Sequence, residues 1–391
     1  MFEYIKESFE REFGRQPAYI FSAPGRTELS GNHTDHQHGK VLAAAVNLEM
    51  LAAVEKNDSG IIRVKSEGYS LCEIDTAALE PVESEKNTTA SLIRGIAAIF
   101  KRNGVEVSGF DAYVTSTVLP GSGLSSSAAF EVLTGTILNH LYNEAKFSPV
   151  KIAQIGQRAE NEYFGKPCGL MDQTASAVGN IIAIDFKNPE NPEVERIDFD
   201  FSAAGYALCI IDSHASHADL TDEYAAIPGE LGKVCALFGE KYLRDVSEEE
   251  FYSRIPEVRK AAGDRALLRA IHVFEENRRV ELQIEALRAG DFDSFLGYVA
   301  ESGLSSWRFL QNVAPTGSRE KQEVASALAL AEKHLEGRGA CRVHGGGFAG
   351  TIQAFVPDDM LEDFCAKMDA ALGSRSCHVL SVRPQGGVRL E

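Results

Sequence analysis

Residues 119–129 read LPGSGLSSSAA. They close an alternating run, 110–117, that predicts a strand, and open an apolar run, 125–141, that predicts a long helix. Gly121 and Gly123 let a backbone approach a ligand closely and adopt positive φ. Ser125, Ser126 and Ser127 set N–H groups and hydroxyls at a helix N-terminus, where the peptide dipoles favour an anion. The stretch Pro120, Gly121, Ser122, Gly123, Leu124, Ser125, Ser126, Ser127 and Ala128 therefore predicts a cradle for phosphate. It is not a Walker A loop, because GxxxxGK[ST] occurs nowhere in the chain. The plainer reading is a strand-to-helix turn whose serines cap the helix.

Downstream, residues 150–164 predict a helix with apolar positions Ile152, Ile155, Ala159 and Phe164. Glu160 lies beside that stripe, where a carboxylate needs a partner or a metal. Magnesium, a loop hydroxyl and ATP oxygens would satisfy it; so would Arg158 or Lys166. The segment 167–176, PCGLMDQTAS, follows. Its Asp172 reads either as the N-cap of a short helix, 173–178, or as a buried base. Upstream, residues 23–40 read APGRTELSGNHTDHQHGK. Arg26 follows a Pro-Gly turn, and Asn32, His33, Asp35, His36 and His38 crowd together. A polar turn, a metal site and a site for sugar hydroxyls all remain open for this cluster.

Elsewhere the patterns predict strands at 18–23, 61–64, 181–186 and 206–211, and helices at 91–102 and 149–163. Residues 41–54 predict a buried strand or helix; period alone does not separate them. Residues 187–195, KNPENPEVE, predict a domain boundary or a hairpin. Residues 228–333 are mostly helical in pattern, and a strand–helix–strand pattern closes the chain. Strands and helices do not alternate regularly, so the expected class is α+β rather than a doubly wound sheet.

The length, 391 residues, exceeds one ordinary hydrophobic core and predicts two domains. A net charge of −18 repels phosphate backbones and anionic lipid heads, so neither nucleic acid nor membrane is an expected partner. The seven cysteines, at 72, 168, 209, 235, 341, 365 and 377, show no CxxC spacing. They predict neither a disulfide framework nor a structural zinc, and suit a reducing cytosol. Residues 1–14 carry no apolar signal core, and no apolar run reaches 18 residues, so the expected location is the cytoplasm. No segment reads as an assembly interface, and a monomer is expected.

Taken together, these segments resemble the motifs of the galactokinase branch of the GHMP kinases. The branch's first motif runs GRxNLIGEHTDY; here residues 25–36 read GRTELSGNHTDH. The second, GLSSSA, is intact at 123–128. The third, GGGFGG, is GGGFAG at 345–350, and AExxxxGxPCGxMDQ matches residues 159–173. The resemblance spans nearly the whole chain. It implies a ribosomal-S5-like N-terminal domain, residues 1–200, and a ferredoxin-like C-terminal domain, residues 201–391, with the site between them. It implies ATP-dependent phosphorylation of the C1 hydroxyl of galactose, with Mg2+ as cofactor. Asp172 matches the catalytic Asp, and Arg26 the Arg beside it. Ser127 and Glu160 match the magnesium ligands. His33, Asp35, Gly169 and Tyr224 match positions around the sugar, and Asn32 stands where the branch carries a Glu that contacts the sugar's 6-hydroxyl.

That Asn is neutral and would tolerate a C6 carboxylate. The run His33-Thr34-Asp35-His36-Gln37 is also similar to that of plant galacturonate kinases, so galacturonate is the rival substrate. A non-catalytic sugar and ATP sensor on the same fold is the rival of another class; retention of Arg26, Glu160 and Asp172 argues against it. The His33–Asp35 cluster and Tyr224 argue against mevalonate, homoserine or a heptose phosphate. Smaller departures are Ala349, His344 and Thr89, the last where an adenine-packing Trp is common.

Overall fold

The computed structural model describes residues 2–118, 123–216 and 220–391. Two sheets carry the described chain. The first is built from β1 (Tyr19–Ser30), β2 (Lys40–Lys56), β3 (Ile61–Ser66), β4 (Leu71–Asp75), β5 (Phe110–Ser116), β6 (Ile181–Asp185) and β7 (Glu193–Ile197). The second contains β8 (Tyr206–Ala215), β9 (Ala340–Val343), β10 (Gly350–Pro357) and β11 (Cys377–Leu380). A last strand, β12 (Val388–Arg389), returns to the first sheet beside β1. The last residues of the expected C-terminal domain thus complete the N-terminal sheet.

The helices are α1 (Phe2–Phe13), α2 (Thr89–Arg102), α3 (Ser126–Tyr142), α4 (Pro149–Ala159) and α5 (Met171–Val178), followed by α6 (Thr221–Ala236), α7 (Glu248–Ser253), α8 (Ile255–Ala262), α9 (Asp264–Ala289), α10 (Phe292–Ser305), α11 (Glu323–Leu335) and α12 (Leu361–Leu372). No described helix is long and apolar enough to cross a membrane.

The first sheet runs β12-β1-β2-β5-β3-β4, with β6 and β7 branching from β2. The second runs β11-β8-β10-β9 and is antiparallel throughout. The ambiguous run 41–54 is strand. Its first half pairs with β6 and its second half with β5, while β1 runs along its other edge. Residues 41–46 are buried on both faces, with α3 and α5 packed against this part of the sheet. Burial on both faces erases the alternation that ordinarily marks a strand and favours the small side chains of the Ala43–Ala45 run. Residues 187–195 form the connection of the β6–β7 hairpin and the start of β7 rather than a boundary.

Two departures from regularity position the site. The β1–β2 register shifts between Pro24 and Arg26, re-aiming Arg26. Helix α4 ends in a π-helical turn, Glu160–Phe164, in which Gly165 N–H reaches Glu160 O at 2.9 Å. Such turns recur at functional sites because they re-aim one side chain within a helix.

Candidate active site

Arg26 leaves β1 pointing at α5. Its Nε donates to Asp172 Oδ1 at 2.7 Å, and its Nη1 donates to the carbonyl of Gly123. Ser125 Oγ donates to the other oxygen, Asp172 Oδ2. Ser125 sits in the left-handed region at φ 55°, unusual for a residue with a side chain, directly before α3. That strained position is held by the Asp172 contact. Helix α5 begins at Met171, so Asp172 lies in its first turn and is not its cap. Burial pushes the Asp172 carboxyl up, but the Arg26 charge and the Arg26 and Ser125 hydrogen bonds outweigh it and hold it below its usual value. Asp172 is therefore an ionised acceptor at the foot of the loop.

Two cavities open near this junction. One, of about 220 Å³, is lined by Arg26, Glu28, His33, Asp35, Gly169 and Asp172, among others. Gly169 leaves the space that Asp35 takes: a Cβ would lie 1.9 Å from Asp35 Oδ2 and displace that carboxylate. Asp35 Oδ1 accepts from His36 N–H at 2.8 Å. Burial first, and then the nearby Asp172 charge, raise the Asp35 carboxyl to about 7. His33 Nε2 faces the Gly346 carbonyl at 2.9 Å, so it carries the proton and donates. His33 Nδ1 is then left to accept from His36 Nε2 at 3.1 Å. Burial lowers both imidazoles, His36 to about 3, and both are neutral.

The second cavity, of about 450 Å³, is lined by Leu92, Val118, Phe130 and Phe164 with Ser126 and Ser127 at one end. Thr89 lies on its wall, as does the exposed Tyr69. Leu124 and Ala128 are buried behind the loop, and Gly123 takes φ 71°. Pro120, Gly121 and Ser122 lie outside the described residues.

Glu160 is buried, with one oxygen 3.0 Å from Gln173 Nε2 and the other 3.6 Å from Lys166 Nζ. The same Gln173 nitrogen lies 2.9 Å from Glu131 Oε2. Glu131 was not anticipated. It stands one helical turn after Ser127 on α3, is fully buried, and its Oε1 has no hydrogen-bond partner. Burial and the Glu160 charge raise its carboxyl well above the usual range. Two buried carboxylates sharing one amide form an oxygen donor set that fits a hard divalent cation. The sign of Glu131 in the sequence was an acid inside an apolar run, four residues after a loop serine.

Asn32 is placed differently from expectation. It is fully buried, and its amide donates to Glu28 Oε1 at 3.0 Å and to Gly345 O at 2.6 Å. Its oxygen accepts from Ser306 Oγ at 3.2 Å and Asn312 Nδ2 at 2.8 Å. All its hydrogen-bonding groups are spent on the protein, and the acid on the cavity wall is Glu28, paired with the fully buried Arg342. Set against GRxNLIGEHTDY, Glu28 and Asn32 have exchanged places. The loop is fixed from behind by α9, where His272 Nε2 donates to Asn32 O at 2.9 Å and Glu276 accepts from Gly31 N–H at 3.2 Å. Tyr224 is not on the cavity wall. It packs behind the glycine turn, its hydroxyl donating to Gly347 O at 2.9 Å, and burial raises it to about 12. His344 bridges Thr27 and Thr351, at 3.0 and 2.9 Å.

A Gly-Ser turn that opens α3, an Arg–Asp pair against it and the turn of the second sheet at the cavity rim are the arrangement of a GHMP-type kinase. The model of the GHMP kinases N terminal domain matches residues 91–180, and that of the galactokinase galactose-binding signature matches residues 7–56. A galactokinase of Actinobacillus pleuropneumoniae serotype 5b is 33% identical over 361 residues, covering 91% of this chain and 90% of that one. A galactokinase of Streptomyces coelicolor is 32% identical over 395 residues, 98% and 97% of the two chains. In fold, the chain superposes on the crystal structure of Lactococcus lactis galactokinase complexed with galactose at a TM-score of 0.84, with 24% identity and 98% of each chain covered. The chain belongs to the galactokinase family. It is a sugar kinase, a phosphotransferase that uses ATP.

Proposed function

We propose that this chain transfers the γ-phosphoryl group of ATP to the anomeric C1 hydroxyl of galactose, giving galactose 1-phosphate and ADP. The observation that carries the reading is the Arg26–Asp172–Ser125 junction, which joins the loop at the N-terminus of α3 to the smaller cavity. ATP takes the larger cavity, adenine among its apolar walls and phosphates toward Gly123 and Ser127. The sugar takes the smaller one. Asp35 and Glu28 accept from its hydroxyls, and the Gly169 backbone leaves room for Asp35 to do so. Asp172, ionised, orients the C1 hydroxyl and accepts its proton. Arg26 keeps Asp172 ionised and offsets charge on the moving phosphoryl group. Both ligands are thus held for in-line attack.

Ser127, Glu160 and the adjoining Glu131 are the residues we assign to magnesium. The unpartnered Glu131 oxygen supports this assignment. A magnesium ion held by these residues would supply charge neutralisation for the phosphoryl group in transfer. The smaller cavity draws Gly345 and Gly346 from beyond residue 201, which supports two domains, 1–200 and 201–391, with β12 reaching back.

The cavity favours galactose over galacturonate. Among the described residues the two arginines at this wall, Arg26 and Arg342, are already paired with Asp172 and Glu28, so a C6 carboxylate finds no free counter-charge there. Asn32, which had suggested the acid sugar, is fully engaged elsewhere. ADP release with Mg-ATP, on galactose and on galacturonate, tests the proposal with Asp172→Ala as control. Turnover on galactose that the control abolishes is expected. Turnover on galacturonate alone overturns the substrate, and sugar binding without ADP release overturns the enzyme in favour of the sensor.

A further inference from the structure

Three of the seven cysteines, spread over separate segments, meet on the second sheet. Cys209 lies in β8, Cys377 in β11 and Cys365 on α12. In the β8–β11 ladder Cys377 stands opposite Ile211, and Val379 opposite Cys209. Cys209 and Cys377 are therefore diagonal neighbours on one face of the sheet. Helix α12 covers that face, its Phe364 and Met368 packed in the same apolar cluster as Cys209 and Ile211. Cys365 is brought down between them. The three sulfur atoms all lie within 4.8 Å of one another, with Cys365 and Cys377 3.0 Å apart.

We propose that Cys209, Cys365 and Cys377 bind one thiophilic d10 cation, of the zinc, cadmium or cuprous class, through three thiolates. A tetrahedral ion with metal–sulfur bonds of about 2.3 Å holds its sulfurs about 3.8 Å apart, which this trio reaches once Cys365 and Cys377, now 3.0 Å apart, separate by less than about 1 Å. The trio is the sole group of three or more such ligands among the described residues that converges to this degree. Its frame is braced: Cys377 N–H donates to Asp369 Oδ1 at 2.9 Å, fixing β11 to α12 one turn beyond Cys365. Cys209 is fully buried and anchors the floor, while Cys365 and Cys377 are partly exposed and leave a fourth position open to water. On binding, each thiol gives its proton to solvent as its sulfur–metal bond forms. The soft thiolates select against magnesium, so this centre and the carboxylates near the phosphate loop do not compete for one ion. None of the three sulfurs lines either active-site cavity. The site acts on the stability of the second sheet: an ion that binds only the folded chain raises its melting temperature.

The test is a Cd2+ titration of the full chain, reduced and then freed of reductant under argon. It is read by the thiolate-to-cadmium charge-transfer band, by Zn2+ competition and by melting temperature. One equivalent is expected, with a rise in Tm. Band and rise are both lost in Cys365→Ser and Cys377→Ser, and both retained in Cys72→Ser. Iodoacetamide mapping of the unaltered protein gives an independent reading: cadmium should protect Cys365 and Cys377 and leave Cys72 labelled. Uptake below one equivalent, a band unchanged in the two serine variants, or an air-formed Cys365–Cys377 disulfide in a protein whose reduced form takes no metal would each overturn the proposal.

Discussion

Two acidic centres sit by the N-terminal end of α3, one half-buried and one fully buried, and they are built on opposite principles. Asp172 brings its own counter-charge: Arg26 at 2.7 Å, with Ser125 on the other oxygen, and its carboxyl is held low. Glu131 and Glu160 share one neutral amide, with Lys166 at 3.6 Å from the pair's outer oxygen, and the Glu131 carboxyl is pushed high. Burial acts in the same direction on Asp172 and Glu131. What separates them is how the cation is placed: Arg26 is hydrogen bonded to Asp172 itself, whereas Lys166 stands 3.6 Å from Glu160 and Glu131 faces the Glu160 charge. In the function proposed above, the first centre serves as a permanent acceptor and the second as a ligand set that would exchange protons for a divalent ion.

Removing the built-in cation is the most severe way to break this contrast. Lysine at position 26 reaches one partner but not Asp172 and Gly123 O together, because it lacks the guanidinium fork. Arg26→Lys is expected to lower kcat about 10²- to 10³-fold and to move the acid limb of the pH–rate profile upward, toward Glu131-like behaviour. Loss of rate with an unmoved limb would show that Arg26 does not set the Asp172 charge.

The second centre gives an effect of intermediate size and two signs. Glu131→Gln is expected to raise the half-saturating Mg2+ concentration about 10- to 100-fold. Without divalent ions the same variant is expected to melt roughly 2–4 °C higher, because it removes a buried carboxylate that lacks a counter-charge. A lower melting temperature in metal-free buffer would mean that Glu131 is a structural hydrogen-bonding acid and not part of a cation site.

The smallest effect sharpens the contrast at Asp35, where burial and the Asp172 charge raise the carboxyl to about 7. Unfolded, it titrates near 4, so between about pH 4 and pH 7 the folded chain keeps a proton the unfolded chain has lost. Its stabilising contribution is complete below about pH 4 and is lost as pH rises through about 7. Asp35→Asn is expected to flatten the decline of Tm between about pH 5 and pH 8 by roughly 2 °C. An unchanged slope would place the titration elsewhere.

What was legible in the sequence was what is local. The loop at 123–128, Arg26 after its turn and Asp172 in its segment each lie in a short run with its own spacing, and the structure joins them by direct hydrogen bonds. The α+β class was legible too. Asn32 was misjudged because two of its partners, Ser306 and Asn312, lie 274 and 280 residues along the chain. Glu131 was hidden inside a run that reads as apolar helix. Strand β2 was ambiguous because two-sided burial removes its period. The cysteine trio escaped for the reason Asn32 did: ligand spacing in sequence detects only sites that one segment builds.

The Glu28–Asn32 exchange has a consequence for how such a site changes over generations. The acid and the amide are hydrogen bonded to each other, and the acid is also the partner of buried Arg342. A chain carrying Asn at both positions leaves that arginine stranded, a loss of about 3–5 kcal/mol for a buried pair broken on one side. One carrying Glu at both sets two acids in contact. Neither single exchange keeps the arrangement intact, so Glu28→Asn and Asn32→Glu made together are expected to cost less than the sum of the two made alone. A position-by-position profile scores the pair as two mismatches, although chemically it is one interaction turned end for end.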